Sequence, residues 1–190
     1  MGNREDLMAG ARKAILDRGL AKVTARDIAT AAGVSLAAIG YHFGSKDRLI
    51  TEALTEATGS GIGDAFEAVL REAGEGRTLR ESLTYTWNGL LDAIAGHREQ
   101  LLLSMENAVR IARSEESQQF MAEATEQAHG DIATTLREVH PELTRDEAEA
   151  VAKLYFATMQ GMALLWLVAP SGDMIDGGEF ELAVEAMTRK

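Results

Sequence analysis

Apolar residues recur at helical spacing along nearly the whole chain, and no stretch alternates apolar with polar positions as a half-buried strand would. Leu7, Ala11 and Ile15 stand four apart with Ala14 and Leu20 beside them, which predicts one amphipathic helix ended by Gly19. Thr24 and Asp27 have the spacing of a capping box, so a second helix starts at Ala25 and carries Ile28, Ala29 and Ala32 on one face. Gly33 ends it, because a glycine takes the left-handed conformation without a Cβ clash. Ser35 can cap a third helix over about Leu36 to Phe43, with Ile39 and Phe43 turned inward, and Ser45 can cap a fourth from Lys46. Two short helices folded across a glycine turn form a helix-turn-helix, whose second helix enters the DNA major groove.

Beyond Leu49 the helical spacing continues, although Gly59, Gly61 and Gly63 crowd one segment at a cost of about 1 kcal/mol each relative to Ala. The chain changes character there, and the segment reads either as a loosely packed helix or as a hinge. Thr78 with Glu81 opens a helix bearing Leu83, Trp87, Leu90, Leu91 and Ile94, ended by Gly96. A helix over about 97–113 and another over about 116–139 follow, the second stopped by Pro141. Thr144 with Glu147 opens the most apolar helix, about 146–169, ended by Pro170 and Gly172, and a last helix covers about 178–188. From Leu154 to Ala169 only Thr158, Gln160 and Gly161 are not apolar. That run is shorter than the ~20 residues a bilayer crossing needs, so the predicted partner is a second subunit and not a membrane.

The pattern Thr24, Arg26, Ile28-Ala29, Ala32-Gly33-Val34-Ser35, Ile39, Tyr41-His42-Phe43, Ser45-Lys46 and Leu49 resembles the N-terminal domain of the TetR family of transcriptional regulators. It covers about the first quarter of the chain. The resemblance implies an all-α fold: a three-helix helix-turn-helix DNA-binding domain, 1–50, joined to a helical ligand-binding and dimerisation domain, 51–190. It implies DNA contacts from Thr24, Ala25, Arg26, Ser35, Leu36, Ala37, Gly40, Tyr41, His42 and Lys46, with Tyr41 and His42 on phosphate or sugar. Ala37 with Gly40 would let the helix approach closely or touch thymine methyls. Many relatives have Tyr where this chain has Gly40, so a groove-facing aromatic is lost.

The net charge of -11 is unevenly placed. Residues 1–58 hold 8 Lys and Arg against 7 Asp and Glu, whereas residues 59–190 hold 11 against 23. An acidic body is repelled by phosphate, so affinity for DNA must come from local placement of Arg12, Lys13, Arg18, Lys22, Arg26, Lys46 and Arg48. There is no cysteine, which excludes disulfides and thiolate metal sites and suits a reducing cytoplasm. The opening MGNREDLMAGARKA lacks an apolar signal core and reads as the first turns of a helix. His42, His97, His129 and His140 form no ligand pair within a helical turn, and no P-loop, GxSxG or GxGxxG is present, so no metal, cofactor or catalytic role is expected.

Trp87, Met105, Phe120, Met121, Tyr155, Met159, Met162 and Trp166 are large or pliable residues on apolar helix faces, the expected lining for a hydrophobic or aromatic effector. Taken singly, each reads first as plain core, and it is the resemblance that favours a shared lining. Asn88, Glu106, Asn107, Arg110, Thr158 and Gln160 are polar candidates to orient it, with Glu106 and Arg110 also placed as an ordinary i,i+4 pair. Ala157, Gly161, Leu164, Leu165 and Val168, with Leu182 on the last helix, are the expected homodimer interface. The reading is a ligand-responsive repressor that binds a palindromic operator as a homodimer. The alternatives are a same-fold activator, or a helical carrier or small enzyme with a vestigial helix-turn-helix.

Overall fold

The computed structural model describes residues 2–170 and 174–189; Met1 and Gly172 lie outside them. Every regular element among the described residues is helical: α1 Gly2–Arg18, α2 Ala25–Ala32, α3 Ala37–Phe43, α4 Lys46–Thr58, a π-helical turn Gly59–Gly63, α5 Asp64–Gly74, α6 Leu79–Gly96, α7 Arg98–Ile111, α8 Glu115–Val139, α9 Arg145–Val168 and α10 Gly177–Thr188. The three predicted capping boxes close in both directions at Thr24, Thr78 and Thr144. A fourth, Asp176 with Glu179, opens α10 and was equally readable from its spacing.

Two compact units divide the chain. The first comprises Met1–Ser60 and Leu102–Glu123, the second Gly61–Leu101 and Ala124–Lys190. In the first, Leu7, Ala11, Ile15, Ile28, Ile39, Phe43, Leu49, Ile50 and Ala53 form one buried apolar cluster. Helices α1 and α2 meet closely at Gly10, where a Cβ would stand 2.7 Å from the Ala32 Cβ. A larger side chain there would force the helices apart and open the small core.

The first unit also recruits residues far along the chain. Arg110 pairs with Asp47, Thr51 Oγ1 donates to Ser117 Oγ at 3.3 Å, and the Arg48 guanidinium stands 4.4 Å over the Phe120 ring. Arg110 therefore takes its carboxylate from α4 and not from Glu106, correcting the i,i+4 expectation. Glu52, only 8% exposed, receives both Arg4 and Arg48, so its buried charge is compensated from two sides.

The second unit is built around Phe66, Leu70, Trp87, Leu90, Ile94, Leu136, Ala152, Tyr155 and Met162. Its helix α9 is long and apolar enough to cross a membrane by length and composition. One side of that helix is covered within the unit at Ala148, Ala152, Tyr155, Met162 and Ala163. The other side leaves Leu154, Leu164, Leu165 and Val168 exposed.

The glycine-crowded segment stays helical. Gly59 and Gly63 hold right-handed dihedrals, with nothing within 4 Å of where a Cβ would sit. Neither packing nor backbone geometry demands a glycine at those two positions, and the ladder widens there into one π turn.

Candidate nucleic-acid interface

Local chemistry fixes the shape of the helix-turn-helix. Thr24 Oγ1 accepts from the Asp27 amide at 3.2 Å, and the Asp27 carboxylate accepts from the Thr24 amide at 3.0 Å. The Thr24 hydroxyl, then its backbone N–H, then Arg18 at 3.2 Å hold the Asp27 carboxyl below its ordinary value. Gly33 turns the chain at φ 66° and ψ 26°, and its N–H reaches the Ala29 and Thr30 carbonyls.

The reader helix begins differently from the sequence expectation. Ser35 does not cap it: regular helix starts at Ala37, Leu36 stands at the N-cap with no side-chain bond, and the Ala38 N–H bonds the Ser35 carbonyl at 3.0 Å. The tight first turn satisfies the backbone without the hydroxyl, so the exposed Ser35 side chain keeps its hydrogen-bonding capacity for another partner.

Helix α3 has two distinct sides. Ala38, Ile39 and Phe43 are buried in the first unit, while Ser35, Leu36, Ala37, Gly40 and Tyr41 face solvent. Tyr41 is 86% exposed, with the half-buried His42 ring edge-on to it at 4.9 Å. Three buried residues, Ala38, Ile39 and Phe43, anchor a seven-residue helix that could not persist alone.

The cations of the first unit are mostly occupied. Arg12 pairs with Glu56, Lys13 with Asp17, Arg18 with Asp27 and Arg48 with Glu52. Lys46 donates to the Val23 carbonyl at 3.2 Å, which ties the start of α4 to the turn before α2 and leaves two of its three protons unspent. Arg26 and Lys22 are exposed and carry no salt bridge among the described residues.

The expected ligand residues fall into both units. Trp87, Tyr155 and Met162 are buried in the apolar cluster of the second unit, with Met159 and Trp166 packed against it. The Trp87 indole stacks on Phe180 at 3.8 Å and donates to the Ile175 carbonyl at 2.7 Å, so its polar atom is already used. Burial pushes the Tyr155 phenol up to about 12. Met105, Phe120 and Met121 belong to the first unit, where Thr55 Oγ1 donates to the Met121 sulfur at 3.4 Å. Asn88 accepts from the Gly177 N–H at 2.9 Å, whereas the buried Asn107 Oδ1 has no partner among the described residues. Gly177 packs against α6 so closely that a Cβ would stand 2.4 Å from the Thr84 carbonyl oxygen.

Residues 7–53 match the bacterial regulatory proteins of the tetR family. A curated relative, the HTH-type transcriptional repressor KstR2 of Mycolicibacterium smegmatis, is 28% identical over 109 residues, covering 57% of this chain and 51% of that protein. The chain thus aligns with about half the length of that relative. Among solved structures, one described as a TetR-family transcriptional regulator from a Rhodococcus species is 23% identical, with a TM-score of 0.60 over 100% of both chains. The multidrug binding protein EbrR complexed with imidazole is 18% identical, with a TM-score of 0.66 over 99% of this chain and 98% of that one. These two likenesses extend the shared fold over the helical C-terminal part. Over residues 7–53 the chain therefore carries the N-terminal helix-turn-helix domain of the tetR family of bacterial regulatory proteins.

Proposed function

We propose that this chain is a transcriptional repressor that binds a palindromic operator as a homodimer and is released by a small hydrophobic or aromatic ligand. The observation that carries the reading is the two-sided reader helix: α3 is anchored by Ala38, Ile39 and Phe43, and its outward face is left for a groove. Arg26 and Lys22, exposed and without a salt bridge among the described residues, supply charge for phosphate from the same helix-turn-helix, and Lys46 adds two free ammonium protons.

The exposed stripe on α9 supports the homodimer. Leu154, Ala157, Gly161, Leu164, Leu165 and Val168 recur at helical spacing on the uncovered side, and Leu182 is exposed on α10. Small Ala157 and Gly161 admit a close approach of a second copy. Two reader helices related by that dimer's two-fold axis would meet half-sites about 34–36 Å apart.

Ligand control follows as a population shift in the cytoplasm, where the chromosome lies. An effector that binds better to a form with misplaced reader helices weakens DNA binding, and DNA weakens the effector by the same factor. The repressor assignment is supported by the similarity to KstR2, and the apolar effector class by the pliable Met and aromatic set and by the fold shared with a multidrug binding protein.

Titration of labelled genomic fragments at stepped salt tests the reading. The expected result is salt-dependent binding, weakened by Arg26→Ala with unchanged sequence preference and a shallower salt slope. Binding of apolar compounds without any DNA affinity would support a carrier instead.

A further inference from the structure

We propose that α3 recognises its DNA through the C5 methyl groups of pyrimidines, with Leu36 and Ala37 touching the methyls and Gly40 opening the space for a deep approach. This rests on the DNA-binding reading above and narrows it to a chemistry.

The discriminating hydrogen-bond pairs of the major groove use Arg or Lys on guanine, Asn or Gln on adenine, and Asp or Glu on cytosine. The reader segment from Ser35 to Phe43, SLAAIGYHF, contains none of these six residue types. Its hydroxyls on Ser35 and Tyr41 both donate and accept, and the half-buried His42 ring donates through one nitrogen and accepts through the other, so all three pair with several bases and separate them poorly. The code that remains to this face is apolar.

Leu36 carries that code. It stands at the N-terminal end of the reader, where base edges are contacted in a helix-turn-helix, and it is 48% exposed in the free protein. Hydrocarbon held in water gains by meeting hydrocarbon, and among the four ordinary bases only thymine presents a methyl group in the major groove. Ala37 adds a second small apolar contact beside it.

Gly40 lies four residues after Leu36 and three after Ala37, on the same face. A Cβ at this position would meet nothing within 4 Å, so packing in the free protein does not call for glycine. Its helix does not need a left-handed residue there either, since the positive φ glycines are Gly19, Gly33, Gly44 and Gly76. The missing side chain is explained by what approaches from outside. Because 5-methylcytosine carries the same C5 methyl as thymine, the reader ranks both above their unmethylated counterparts.

The test uses the full chain and a duplex selected from genomic fragments. Each thymine is replaced singly by uracil, which removes the methyl and keeps every pairing and minor-groove group, and affinity is read by fluorescence anisotropy at fixed salt. One or two positions per half-site are expected to lose about fourfold, the ~0.8 kcal/mol of one buried methyl at ~1.4 kcal/mol per tenfold. At those positions 5-methylcytosine is expected to bind better than cytosine. Leu36→Ala is expected to erase the thymine-to-uracil difference at one position per half-site, the one that Leu36 covers, without changing the salt slope, with its helix content and melting checked by circular dichroism. Equal affinity for every uracil duplex in the wild-type protein overturns the inference and leaves the DNA-binding reading standing. Failure to retain any genomic fragment above a salt-matched control overturns both.

Discussion

The outward faces of α3 and α9 are both apolar, yet they call for different partners. The α3 face spans about two turns and is interrupted by hydroxyls and a glycine, and the helix-turn-helix that carries it also holds exposed Arg26 and Lys22, which have no salt bridge among the described residues. The α9 face runs from Leu154 to Val168 with no charged residue on it, and its cations and acids lie at the start of the helix. A short, notched apolar face on a segment that also carries free cations suits a groove between phosphate walls, whereas a long uncharged stripe suits another protein surface. Exposure alone does not separate the two; length and neighbouring charge do.

The sharpest break of this contrast is at α9. Leu165→Glu combined with Val168→Glu places carboxylates in the proposed subunit interface, and the expected product is a folded monomer by light scattering. Losing two central apolar contacts at ~2 kcal/mol or more each should also lower operator affinity more than a hundredfold. Persistence of the dimer would move the interface elsewhere.

The covered side of α9 gives the next largest effect. Tyr155 is neutral in the folded state until about pH 12, while its unfolded counterpart ionises near 10. A raised folded value means the stability contribution is complete below pH 10 and is lost as pH climbs through 10 to 12. Across that window the wild type should lose on the order of 2 kcal/mol more than Tyr155→Phe in denaturant melts. Equal losses would mean that the phenol reaches water.

On the reader side the expected effects are smaller. Thr24→Ala removes both directions of the α2 cap and should cost about 1 kcal/mol. Thermal melts of the wild type and the variant measure the difference. The cap should also weaken in acid: the Asp27 carboxyl lies below its ordinary value, so its contribution exists above the unfolded value and fades as pH falls through the folded one. Smaller still, Gly40→Ala should raise stability by about 0.5–1 kcal/mol, because the site has room for a methyl and helices favour Ala. The same variant should bind DNA less tightly, so its two effects have opposite signs.

Local signals explain why much of the architecture is legible in the sequence. Capping boxes at Thr24, Thr78 and Thr144 and the turn at Gly33 depend on residues a few positions apart, and they formed as their spacing indicates. The Ser35 cap failed because a tight first turn satisfied the same backbone groups at no cost to the hydroxyl. Contacts between distant residues had no such trace. Nothing near Arg110 in sequence marks Asp47, 63 positions away, as its partner in preference to Glu106. Similarly, Trp87 looked free to receive a ligand until α10 brought Phe180 and the Ile175 carbonyl against it. Periodicity reports which face of a helix is apolar, and only packing reports what covers that face.

The most direct measurement is hydroxyl-radical footprinting of the full chain on a duplex recovered by selection from genomic DNA. A dimer presenting paired α3 helices should protect two inverted half-sites with centres about 10 base pairs, or ~34–36 Å, apart on one face of the duplex. A single protected patch, or protection without inverted symmetry, would contradict it.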